Sequence, residues 1–346
     1  MNRSTAGTLA VLTAALLWGT TGTAASLAPS VPPIAVGAFA MGVGGLLQAL
    51  IAVPALRASR AGLGRMRGLV LLGAAAVVVY PLAFYASMRL AGVAVGTVVS
   101  IASTPLFSAV LERVVDRVRF SPRWAVAALL AVGGSTVLCL AGAEEIGSDA
   151  AATVGGVALG LAAGAAYAVY SWAVHRVMRG GVPRAAAMGA VFGVGGLALL
   201  PVVLVTGGPI LASPMTVSVA VYLALVPMFL GYVCFGVGLD RIRASTATTL
   251  TLGEPAVAAV LAVTVVGESL PPVGWLGLAV IGVGLAVLVV PRRRRSGRSP
   301  CPQNWGQPTP HCARPTEAEI TFRMVGSKKG FQHLGAARLD ADPSRR

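Results

Sequence analysis

The sequence predicts an all-α polytopic membrane protein with ten transmembrane helices, arranged as two inverted five-helix repeats. Three observations carry this prediction. The 346 residues are 56% hydrophobic and 11% charged, with a mean hydropathy of +0.80, whereas soluble domains carry roughly a quarter charged residues. The few charges are spaced so that the intervals between them hold one or two spans of about 20 residues. The two halves of the chain also match when slid against each other by about 150 positions.

The charge-free intervals are 4–56, 68–88, 90–111, 124–143, 150–174, 185–239, 255–267 and 269–291. The first must hold two spans, divided at Pro29, Pro32 and Pro33; the interval 185–239 must hold two more, divided at Gly207, Gly208, Pro209 and Pro214. In order, the expected spans are 7–28, 34–56, 68–88, 91–111, 123–142, 153–174, 185–206, 216–237, 244–266 and 273–291. No segment shows the alternating pattern of a barrel strand, and lipid offers no partner to exposed backbone groups, so helices are the physical default. The organisation is then a first repeat over 1–142, a linker over 143–152, a second repeat over 153–291 and a basic, disordered tail over 292–346.

Net charge is +15, and its distribution removes any need for a nucleic-acid partner. Residues 1–291 carry 15 Arg against 8 acids, and the tail carries 12 Lys or Arg against 4. Within the apolar part every arginine except Arg89 falls in alternate loops, which by the positive-inside rule puts both termini in the cytoplasm of a cell-membrane protein. Glu144, Glu145, Asp149 and Glu268 fall in the opposite loops. Arg3 and the apolar run behind it resemble a signal peptide, but a further span follows at once, so the first helix is expected to stay. Cys139 and Cys234 lie in apolar spans; Cys301 and Cys312 flank His311 in the tail without metal-site spacing. No metal or cofactor is expected, and Arg292–Arg295 should anchor the last helix at anionic headgroups.

A shift of 150 matches Ala94 with Ala244, Pro105 with Pro255, Pro122 with Pro272 and Gly134 with Gly284. A shift of 149 matches Gly7 with Gly156 and Trp18 with Tyr167. Five spans per repeat is an odd number, so the second repeat enters the membrane in the opposite sense, and a solute site is expected at mid-membrane between the halves. The glycine pairs 92/96, 160/164 and 189/193 read as close helix contacts.

Leu17-Trp18-Gly19, Ser103-Thr104-Pro105-Leu106-Phe107 and Leu252-Gly253-Glu254-Pro255 with Gly267-Glu268 resemble the drug/metabolite transporter superfamily, specifically the EamA-type ten-helix transporters, over about residues 7–291. The resemblance implies two EamA domains and export of metabolites or amino-acid-like solutes across the inner membrane. The first repeat departs from it, with Arg117-Val118 where the second has Gly267-Glu268.

Glu254 is the one acid inside an expected span, ten residues from its start and so about 15 Å deep at about 1.5 Å per residue. An ionisable group at that depth marks a solute or proton pathway, and Pro255 beside it should kink the helix, as Pro105 should in the first repeat. Thr104 is its repeat mate. Trp18, Tyr80, Tyr85, Tyr167, Tyr170, Trp172 and Tyr232 supply aromatic surface, and Thr20, Thr248, Thr249 and Thr251 supply hydroxyls, each of which also fits a packing role. The expected partners are a small neutral or zwitterionic solute, the bilayer and a coupling proton. There is no phosphate loop, nucleophile-base pair or metal set, so an enzyme is not expected; a non-transporting membrane scaffold remains the alternative.

Overall fold

The computed structural model describes residues 3–141, 150–267 and 270–290. Glu144, Glu145, Asp149, Glu268 and the whole tail, with Cys301, His311, Cys312 and Arg292–Arg295, lie outside them. The described residues are helical with no strand. The spans are α1 (Arg3–Ala25), α2 (Pro33–Ile51), α3 (Arg67–Ala91), α4 (Val93–Val114), α5 (Pro122–Ala141), α6 (Ala150–Arg179), α7 (Arg184–Thr206), α8 (Pro214–Leu239), α9 (Ala244–Val265) and α10 (Pro272–Val289). Nine of these are long and apolar enough to cross a bilayer, and α5 adds the shorter apolar stretch Pro122–Leu138.

The helix starts follow local chemistry. Pro33, Pro214 and Pro272 occupy the first helical turn, where a missing N–H costs nothing. Ser213 caps α8, accepting from Thr216 N–H at 3.2 Å while its own N–H donates to the Thr216 hydroxyl at 3.1 Å. Several ends differ from the sequence expectation. The second span stops at Ile51 rather than 56, and the short helix Val53–Ala58 follows it; Pro54 has no N–H with which to continue the ladder. The fourth runs past 111 to Val114 and carries Glu112 inside it. The sixth is longer at both ends, so residues 150–152 of the expected linker are helix.

Most of the tight packing joins helices of different repeats: α3 on α6, α2 on α7, α5 on α10 and α4 on α6. The pattern is reciprocal, since α1 packs on α8 and α9 as α6 packs on α3 and α4. The same reciprocity holds at atomic scale. A Cβ on Gly134 would lie 2.7 Å from Ile281 N and 2.9 Å from the Gly277 carbonyl, and one on Gly284 would lie 2.9 Å from Ala131 N and 3.0 Å from the Ala127 carbonyl. Adding 150 to 134, 131 and 127 gives 284, 281 and 277. Likewise Gly156 abuts Ala91 while Gly7 abuts Arg241. Residue i touching j′ while j touches i′ is the signature of a two-fold axis, and the odd number of spans per repeat lays that axis in the membrane plane. The repeats therefore interlock within one compact unit, Met1–Pro291.

Gly160, Gly164, Gly189 and Gly193 do sit at close helix contacts. Gly92 does not: at φ +85° it forms the turn between α3 and α4, with open space where its Cβ would be.

Candidate functional site

The middle of the bundle holds a cluster of aromatic rings contributed by both repeats. Trp18 on α1 lies 4.9 Å from Tyr232 and 5.3 Å from Phe235 between ring centroids, and meets Tyr167 edge-on at 6.3 Å. Tyr167 and Tyr170 stack at 5.0 Å, and Tyr80 on α3 meets both of them edge-on. The Tyr170 and Tyr232 hydroxyls share a hydrogen bond of 2.9 Å. Phe192 on α7 packs 4.5 Å from Tyr232.

Two glycines and a proline account for the close approach of α1. A Cβ on Gly19 would stand 2.6 Å from the Val257 side chain and 3.1 Å from the Glu254 carbonyl, so the Trp-Gly pair brings α1 onto the backbone of α9 at the acid. On the other side, Trp18 Nε1 donates to the Pro227 carbonyl at 2.8 Å and its ring fills the space over Gly231. Pro227 sits within a π-helical stretch, Ala224–Gly231, whose wider spacing accommodates its missing donor.

Glu254 begins the second α-helical segment of α9. Before it Thr251–Gly253 is a 3₁₀ turn, and the Glu254 N–H donates to the Thr251 carbonyl. That carbonyl would otherwise await the N–H that Pro255 lacks, so the tightened turn repairs the ladder. Tyr80, Tyr85, Tyr167 and Tyr232 lie within electrostatic reach of the Glu254 carboxylate. Glu254, Tyr80 and Tyr85 are each half-buried. Among the described residues the carboxylate has no hydrogen bond or ion pair. The Tyr167 hydroxyl is buried near Thr251 and Tyr170 without a hydrogen bond. The arrangement offers one acid, several hydroxyls and aromatic walls, a chemistry suited to a small solute with a cationic group.

Thr104, Thr248 and Thr251 are buried but spend their donors on their own helices. Thr104 donates to Ser100 O at 2.9 Å, Thr248 to Ala244 O at 3.0 Å and Thr251 to Thr248 O at 2.9 Å. Thr20 donates to Leu17 O and accepts from Tyr222 on α8. Pro105, unlike Pro255, lies within an uninterrupted α-helical stretch. Tyr85 rests against Gly37 of α2.

Sequence reasoning singled out Glu254 as the acid inside a span and missed Glu112. Glu112 is 2% exposed and accepts from both the Ser245 hydroxyl at 2.6 Å and the Ser245 N–H at 3.2 Å, so α4 caps the first turn of α9 across the repeat boundary. One turn on, Asp116 accepts from Trp172 Nε1 at 2.7 Å and forms an ion pair with Arg176, both on α6. The placing of Glu112 and Asp116 four residues apart in sequence was the available signal. His175 Nδ1 pairs with the Leu239 carbonyl at 2.6 Å. On this arginine-bearing face α4, α6, α8 and α9 are thus tied together below the aromatic cluster.

An all-helical bundle of two interlocked repeats around a half-buried acid and its tyrosines defines a polytopic membrane transporter. The chain belongs to the EamA-like transporter family, whose model matches it twice, over residues 5–140 and 154–290. It is 34% identical to an uncharacterized transporter, YwfM, of Bacillus subtilis (strain 168), over 84% of this chain and 96% of that one. It is 27% identical to a protein of Streptantibioticus cattleyicolor named "probable terminal-alkyne amino-acid exporter", over 82% of this chain and 95% of that one. A chain of known crystal structure shares the fold with a TM-score of 0.66 at 23% identity, covering 81% of this chain and 95% of that one.

Proposed function

We propose that this transporter is a secondary exporter of small amino-acid-like solutes in the cytoplasmic membrane, working by alternating access with both termini in the cytoplasm and a proton as coupling ion. The observation that carries the reading is Glu254: an unpaired, half-open acid at mid-membrane, facing tyrosines of both repeats on a helix broken beside it. An acid held that way has somewhere to receive either an ammonium group or a proton. The name of the Streptantibioticus cattleyicolor relative supports the direction and the solute class, and the arginine distribution supports the orientation. The interlocked two-fold packing supports rocking of one half against the other about the site. In this reading residues 1–142 and 153–291 are the working halves, and 292–346 is an accessory cytoplasmic tail.

The test is Glu254→Gln, which keeps the shape and removes the charge. Export of amino acids is compared between cells expressing the native and variant chains at matched membrane abundance. The expected result is loss of most export, or export that no longer responds to external pH. Near-native export with an unchanged pH profile would show that the acid serves only the break at Pro255.

A further inference from the structure

On the arginine-bearing face, between the start of α5, the start of α9 and the end of α10, lies a cavity of about 290 Å³. It is distinct from the central site, because Glu254 lies ten residues further along α9, about 15 Å deeper. Arg119, Arg123 and Arg243 line it together with the hydroxyl residues Ser121 and Thr246 and the indole of Trp124. No acid lines it.

The three cations differ in what they already do. Arg123 donates to the carbonyls of Val287 and Val290 and so caps the end of α10. Arg119 and Arg243 are exposed and have no acid partner among the described residues, whose ion pair is Arg176 with Asp116. Glu112, the acid next to the lining residue Ser245, is engaged by that residue.

A separate observation points to a missing acceptor. The Trp124 indole N–H is buried without a hydrogen-bond partner among the described residues, a costly state for a donor, and Trp124 lines the cavity. Its ring packs 4.4 Å from Phe120, giving the cavity an apolar wall next to its cations. Guanidinium forks beside a lone indole donor are suited to the several acceptor oxygens of a phosphate group.

We propose that this cavity binds a phosphate group, carried either by the headgroup of an anionic phospholipid or by a soluble phosphate ester. Its position at the ends of three apolar helices is the level at which headgroups lie, and interfacial aromatics such as Phe120 and Trp124 fit that level as well. A phosphate there would bridge Arg119 of the first repeat to Arg243 of the second.

The experiment uses the purified full chain in a neutral detergent. Binding is read by thermal shift and native mass spectrometry with short-chain phosphatidylglycerol, the matching diacylglycerol, glycerol 3-phosphate and inorganic phosphate. Phosphatidylglycerol should bind saturably and diacylglycerol should not. The double variant Arg119→Gln/Arg243→Gln should weaken phosphate binding by about tenfold or more, as loss of charge-assisted contacts does. Trp124→Phe keeps the ring and should weaken it by less. Binding of phosphatidylglycerol alone assigns the site to a lipid; equal binding of glycerol 3-phosphate or inorganic phosphate assigns it to a soluble ester. The proposal is overturned if no ligand binds in a phosphate-dependent way, or if the double variant, melting like the native chain without ligand, binds as the native chain does.

Discussion

Glu112 is a buried carboxylate whose two oxygens are both engaged by a single residue of the opposite repeat. Hydrogen bonds to a charged group are worth about 1.5–3 kcal/mol net, so this contact holds α9 to α4 at the arginine-bearing face. Glu112→Gln and Ser245→Ala should each lower stability by about 1–2 kcal/mol. Because they break the same contact, the double variant should lose little more than the worse single one, a coupling read by thermal unfolding of the four proteins. Fully additive losses would mean that the two residues act apart. Residues of this kind were hardest to read from sequence. Glu254 stood out because charge is absent around it, whereas Glu112 borders Arg113 and looks like a loop residue until Ser245 is brought to it. Thr104, Thr248 and Thr251 were visible as polar groups in apolar spans, but their hydroxyls turn back onto their own carbonyls, a local choice that sequence position does not decide.

Among the elements, α9 shows how one proline can act differently from its repeat mate. Pro255 lies at the start of the acid-bearing segment Glu254–Leu261, just after a 3₁₀ turn, while Pro105 lies within a continuous α4. The sequence made both prolines equal candidates for a kink; in the second repeat the Thr251 carbonyl takes its bond from Glu254 N–H in a tightened turn. Pro255→Ala restores the missing donor and removes the reason for the tightened turn. We expect that variant to melt no lower than the native chain while export falls several-fold, because the Glu254 carboxylate would turn relative to Tyr80 and Tyr85. Melting curves and the export assay on the same preparation check this; unchanged export would detach the broken helix from transport. Helix existence was legible throughout from apolar length. Helix ends were less so, as at Ile51, Val114 and Arg179, since capping partners from other helices and prolines set them.

At the scale of the whole molecule, the matches at a shift of 150 contained more than a repeat. Gly134 and Gly284 are each other's counterparts and each is buried against the other's helix, so the identities at that register mark the two-fold contact itself. Sequence could suggest two halves but not that they interlock, because which helix faces which depends on packing between residues far apart in the chain. The inversion has a direct consequence for topology. Positions related by the repeat must emerge on opposite sides of the membrane, and the arginines assign the sides. Reporter fusions after Arg60 and Arg184 should therefore signal cytoplasm, and fusions after Glu145 and Leu211 should signal the outside. Arg60 and Leu211 are the informative pair, since they follow corresponding helices, α2 and α7, in the two repeats. Signals from the same side at these two positions would break the inversion, even with both repeats folded. Opposite signals with the sides exchanged would keep the inversion and overturn the cytoplasmic assignment of the termini.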